Sequence, residues 1–215
     1  IPGTLTVNNS AGVQITAAES AGAVTITNTV GTIQFDGALT ATTLNTAANA
    51  YNVTFNGGGT VTNAVSFLNT GSLTIDASGF AFTGGASKVT GAKSFDGTIS
   101  STNAALNFGT AGAITLAGST TFSSGTGAIT LFDVTALNFN LVLQGSGADV
   151  LAAVSLGTGT LNLTGKTGGS VTVGGALTAV SLTTAGNAYN VTLAGGGTIT
   201  NAVNFLNTGS VSITG

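Results

Sequence analysis

One short phrase constrains this chain more than any other feature: a glycine followed by polar and apolar residues in strict alternation. It reads Gly3-Thr-Leu-Thr-Val7, Gly22-Ala-Val-Thr-Ile26 and Gly31-Thr-Ile-Gln-Phe35, then Gly71-Ser-Leu-Thr-Ile75, Gly112-Ala-Ile-Thr-Leu116 and Gly127-Ala-Ile-Thr-Leu131. Further copies are Gly159-Thr-Leu-Asn-Leu163, Gly169-Ser-Val-Thr-Val173 and Gly209-Ser-Val-Ser-Ile213. A two-residue period puts every second side chain on one face of a strand, as a half-buried sheet requires. Val, Ile, Thr and Phe suit a pleated surface, and the leading glycine supplies the turn. Helical periodicity is absent, so the chain is all-β.

A second, longer period selects among all-β architectures. Residues Gly37 to Ile75 align without gaps with Gly175 to Ile213, and 29 of the 39 positions are identical. A closed barrel or a sandwich has no reason to restart its sequence after 138 residues. A solenoid does, because each coil can bury its apolar side only against its neighbours. The expected fold is therefore a right-handed parallel β-helix (β-solenoid) of roughly ten coils, with residues 1–215 as one elongated unit and the long repeat at 37–75 and 175–213. With ~20–25 residues per coil and strands ~4.8 Å apart, the rod is roughly 45 Å long. The single proline, Pro2, interrupts no expected strand. The chain begins at Ile1 and reads as an excised part of a longer repeat protein.

Charge excludes several functions. Of 215 residues only three are basic (Lys88, Lys93, Lys166) and six acidic, for a net charge of −3, with no His or Cys. Nucleic-acid binding needs clustered Lys and Arg to displace counterions, and zinc or iron–sulfur sites need Cys or His. No run of about 18 apolar residues marks a membrane-spanning helix, so membrane insertion by this segment is not expected. The chain is 42% hydrophobic, which separates it from charged, disordered sequences.

Dense Thr-Gly-x-Val/Leu-Thr-Val/Ile phrases with Gly-Gly-Gly-Thr turns, carried here by Gly3 to Val7, Gly57 to Val61, Gly112 to Leu116 and Gly195 to Ile213, resemble large bacterial surface proteins rich in β-strand repeats. The nearest groups are filamentous-haemagglutinin-like adhesins and autotransporter passenger domains. The resemblance implies a β-helix exported to the bacterial cell surface as a stalk, filament or adhesin.

Candidate sites are few. The acids Glu19, Asp36, Asp76, Asp96, Asp133 and Asp149 are more than ten residues apart in sequence, so a carboxylate pair of the kind used in polysaccharide hydrolysis would need stacking across coils. The long repeat replaces Asp36 by Gly174 and Asp76 by Thr214, which favours solubilising turn acids. Lys88 and Lys93 are expected to decorate one loop. Tyr51 and Tyr189 recur at equivalent repeat positions and are the candidates for a glycan contact or for a packing lid beside a turn. Thr-x-Thr pairs such as Thr60/Thr62 and Thr198/Thr200 would suit an ice- or water-ordering face, but their intervals along the chain are irregular.

No catalytic residue, cofactor or metal ligand is expected. The composition fits a structural, non-enzymatic, extracellular protein that forms homo-oligomers or filaments through low-charge Thr, Ser and Asn faces. The alternative is an adhesin module binding glycans or other cell-surface components.

Overall fold

The computed structural model describes all residues except 1, 2, 9, 10, 28, 29 and 77, so Pro2 lies outside the described residues. The chain winds into a right-handed parallel β-solenoid of about ten coils. Every strand pairing among the described residues is parallel, in one 18-stranded and one 8-stranded ladder system.

The pairings resolve into three faces. The first face stacks Thr4–Asn8 on the second half of Glu19–Thr27 and of Leu39–Thr46, and continues from Val65–Ser66 through Ala86–Ser87 and Leu106–Phe108 up to Val211–Ile213. The second carries ten rungs, from Val13–Ile15, Gly31–Phe35 and Tyr51–Phe55 to Leu177–Ala179 and Gly197–Ile199. The third runs from residues 19–21 through Gly59–Val61, Phe80–Phe82 and Leu141–Gly145 to Ser181–Thr183. On the second face most rungs pair residues 20 apart, as in Val13↔Ile33 and Val53↔Leu73. Steps of 21 at Lys93↔Ile114 and 23 at Val154↔Leu177 are absorbed at the corners without breaking the ladder.

The alternating phrase explains this packing. In a three-residue strand such as Leu73–Ile75 the outer residues are buried and the central Thr74 faces out. The inward side chains build one continuous core with Phe35 stacked on Phe55 at 5.3 Å and 19°, and with Phe95 against Phe108 and Phe122 at 5.0 and 5.6 Å. Each such side chain contributes about 1.5–3 kcal/mol relative to exposure. Glycine is required where corners stack. Gly91 has φ +74 and its absent Cβ would lie 2.2 Å from the carbonyl oxygen of Gly71 in the coil below, a place that no side chain can enter.

The long repeat does not fall on a whole number of coils. Tyr51–Phe55 lies on the second face, whereas its counterpart around Asn190–Leu193 lies on the first. Gly59–Val61 is on the third face and Gly197–Ile199 on the second. The chain makes six turns and two faces of a seventh between the copies. The three faces therefore obey the same packing rules, and one sequence block fits on more than one of them.

Candidate functional site: buried lysines and an outward hydroxyl ladder

The two repeated tyrosines point inward. Tyr51 is 0% and Tyr189 1% exposed, so neither ring offers a face on which a sugar could stack. Each hydroxyl closes a corner by accepting a backbone N–H: Ala47 N to Tyr51 Oη at 2.9 Å, and Ala185 N to Tyr189 Oη at 3.0 Å. Burial holds the Tyr51 phenol above its usual pKa. A buried asparagine completes each clasp, Asn69 Nδ2 donating to the Tyr51 carbonyl at 2.9 Å and Asn207 Nδ2 to that of Tyr189 at 3.0 Å. Thr46 and Thr184 repeat the pattern, each hydroxyl accepting an N–H, from Leu68 and Leu206, and donating to a carbonyl one rung on. The repeated block is thus a corner clasp built twice, on different faces.

The lysines are not on a loop surface, contrary to the expectation for Lys88 and Lys93. Lys88, Lys93 and Lys166 are all at most 1% exposed. Lys93 occupies an inward rung between Leu73 and Ile114, and its ammonium donates to three carbonyls: Ala111 at 2.6 Å, Gly91 at 3.1 Å and Gly112 at 3.1 Å. Three protons meet three acceptors, as an ammonium removed from water requires. Lys88 lies in the row of Phe67 and Phe108 and donates to the Asn69 carbonyl at 2.7 Å. Burial pushes both amines down to about 8, with the charge of Lys93 adding to the effect on Lys88.

Asp149 is likewise not a solubilising turn acid. It fills an inward rung next to Val171, is fully buried, and pairs with Lys166 Nζ at 2.7 Å. Its other oxygen accepts the Ile129 N–H at 3.0 Å. Burial raises this carboxyl above its ordinary value, against the opposing pull of the Lys166 hydrogen bond and charge.

The other acids stay outside, and the fold does stack some of them across coils. Asp36, Asn56, Asp76 and Asp96 each follow the last paired residue of successive second-face rungs, Phe35, Phe55, Ile75 and Phe95. Asp36 accepts from three amides, Gln14 at 2.6 Å and Gln34 and Asn56 at 2.7 Å each, and Gln34, Gln14 and Asn56 hold its carboxyl below the usual range. Asp96 accepts the N–H of Gly97 at 2.7 Å. No group of three or more His, Cys, Asp or Glu among the described residues is arranged to hold a metal ion.

The second face carries the most regular outward feature. The central residues of its rungs pair in register as Gln14, Gln34, Thr54, Thr74, Ser94, Thr115, Thr135, Ser155, Thr178 and Thr198. Eight consecutive rungs thus present a hydroxyl, all half-buried or exposed, and none a charge. Irregular intervals along the chain had argued against such regularity, but extra residues are taken up at corners while the ladder keeps its rung spacing. The ladder is single file. Its flanking positions include Ala92, Ala113 and Asp133 rather than a second row of threonines.

No protein-family model, no curated protein and no solved structure matches this chain.

Proposed function

We propose that this chain is a structural, non-enzymatic module of an extracellular bacterial stalk, filament or surface layer, with solenoid rods packing side by side through the second face. The eight-rung hydroxyl ladder from Thr54 to Thr198 carries the reading. A parallel sheet with small polar side chains at ~4.8 Å intervals and no charge in the row can interdigitate with an identical sheet. Burial of all three lysines supports it in a second way. Side-chain charge outside the core is then entirely acidic, carried by Glu19, Asp36, Asp76, Asp96 and Asp133, and leaves the ladder row itself neutral. An adhesive role through Tyr51 and Tyr189 has less support, since both rings are enclosed.

Sedimentation velocity on the chain and on a Thr115→Lys/Ser155→Lys variant tests the proposal. The parent sediments as concentration-dependent oligomers, and the variant, with two like charges placed in the row, as a monomer of unchanged circular dichroism. A parent that remains monomeric at high concentration from pH 4 to pH 8, or a variant that associates equally well, overturns it.

A further inference from the structure

The Lys166–Asp149 pair sits where an ion pair has little reason to be. Asp149 takes the inward place that is Ile129 one rung before and Val171 one rung after. Lys166 ends the third face of the same turn and is paired with Gly145, just ahead of Asp149. A link between these two side chains joins the end of one turn to its own beginning, one rung below. Both side chains are fully buried, 2.7 Å apart.

The surroundings fit an amide better than two ions. Among the described residues the site offers one further donor and one further acceptor: the Ile129 N–H, 3.0 Å from Asp149 Oδ1, and the Gly147 carbonyl, 2.9 Å from Lys166 Nζ. An ammonium has three protons but finds only the Gly147 oxygen and Asp149 Oδ2. A secondary amide has one carbonyl oxygen and one N–H, and these two backbone groups satisfy both. Buried unpaired protons and charges are costly, so replacing the ion pair with an amide removes that cost.

We propose that Lys166 and Asp149 condense to a side-chain isopeptide bond that joins the end of one solenoid turn to its own beginning. A proton passes from the Lys166 ammonium to Asp149 Oδ2 across the existing hydrogen bond, leaving a neutral amine and a neutral carboxylic acid. Burial, which raises the Asp149 carboxyl, favours that transfer. The amine lone pair attacks Cγ, and the oxyanion that develops on Oδ1 is held by the Ile129 N–H. The nitrogen then gives a proton to the Oδ2 hydroxyl, the Cγ–Oδ2 bond breaks and water leaves. One C–N bond forms, one C–O bond breaks, nothing is oxidised or reduced, and no co-reactant is needed. Lys88 and Lys93 are internal controls, since their amines face peptide carbonyls and no carboxyl.

The test uses the whole purified chain, aged at neutral pH, unfolded in urea and digested with trypsin. The chain has no arginine and three lysines, so an uncrosslinked chain yields peptides 94–166 and 167–215. The proposal predicts instead a single peptide 94–215, lighter than its sequence by one water, with fragment ions that join Asp149 to Lys166. The fragment ions distinguish it from loss of water at Asp96-Gly97. In Lys166→Arg, which keeps the cation but removes the amine, cleavage after 166 returns and the mass equals that of the sequence. Parent protein that is cut quantitatively after Lys166 into peptides of full sequence mass overturns the proposal, and this outcome does not depend on any variant folding.

Discussion

Replacing Lys93 by leucine should remove much of the pH dependence of stability in this solenoid. Lys93 sits in a column of apolar rungs, with Leu73 below and Ile114 above, and its amine is pushed down to about 8 from 10.5 by burial. Between those two values the unfolded chain holds the proton that the folded chain has released, so stability rises with pH across this window and is lower at pH 7 than at pH 9.5. A gap of that size corresponds to about 3 kcal/mol at full development. The three carbonyls around the amine and residual solvent screening reduce the effect, and roughly half of it, about 1–2 kcal/mol, is the working expectation. The neighbouring Lys88 responds in the same direction and is coupled to Lys93, so the two contributions do not simply add. The assay is a urea titration followed by circular dichroism at pH 7 and pH 9.5. The upper limit is set by Tyr51, whose buried phenol costs stability once unfolded tyrosines ionise near pH 10. The parent midpoint should rise with pH, and that of Lys93→Leu should rise distinctly less. A parent midpoint that is flat or falls over this range refutes the reasoning, as does a Lys93→Leu variant with the parent's full slope.

The same geometry sets other outcomes. Tyr51→Phe and Tyr189→Phe each leave a corner N–H without its 2.9 or 3.0 Å partner, and each should lower stability by about 1–3 kcal/mol in thermal or urea unfolding. Equal losses at the two sites would reflect the equivalence of the two clasps. Gly91→Ala forces a Cβ to within 2.2 Å of the Gly71 carbonyl oxygen at φ +74, and should destabilise by more than the ~1 kcal/mol of an ordinary Gly-to-Ala change at positive φ. Gly3→Ala, where nothing lies within 4 Å and the backbone is outside the positive-φ region, is the permissive control. Self-association should strengthen as pH falls towards the carboxylate range and the exterior acids lose charge, and also as salt screens them. Asp36, held low by three amides, should protonate below the usual carboxylate range, which NMR titration of its carboxyl would check.

Much of this was legible in the residues. The alternating phrase placed strands and inward rows, and the 138-residue repeat favoured stacking coils over a closed barrel. The buried charges have a local signature too. Gly91-Ala-Lys93-Ser-Phe95 and Gly147-Ala-Asp149-Val-Leu151 are the same phrase as Gly71-Ser-Leu-Thr-Ile75, with a charged residue in the first apolar slot. The alternating pattern, rather than the general preference of charges for the surface, decides where these side chains point. The partners that make burial tolerable lie 17 to 19 residues away, at Asp149, Asn69 and Ala111, and follow from register alone. The same holds for the hydroxyl ladder. Its rungs are 20, 21 or 23 residues apart in sequence, and only the pairing shows that corners absorb the difference. The shift of the second repeat copy to another face has no local signature, since it is a sum of corner lengths over more than six turns.

The proposed function requires rods that meet along their hydroxyl-bearing second faces, and electron microscopy of the purified chain across pH is the decisive test. It predicts laterally paired or bundled rods at low pH and high salt, with an axial repeat of ~4.8 Å and the Thr54 to Thr198 row at the contact. Rods dispersed singly under every condition, or bundles that meet through a different face, would contradict it.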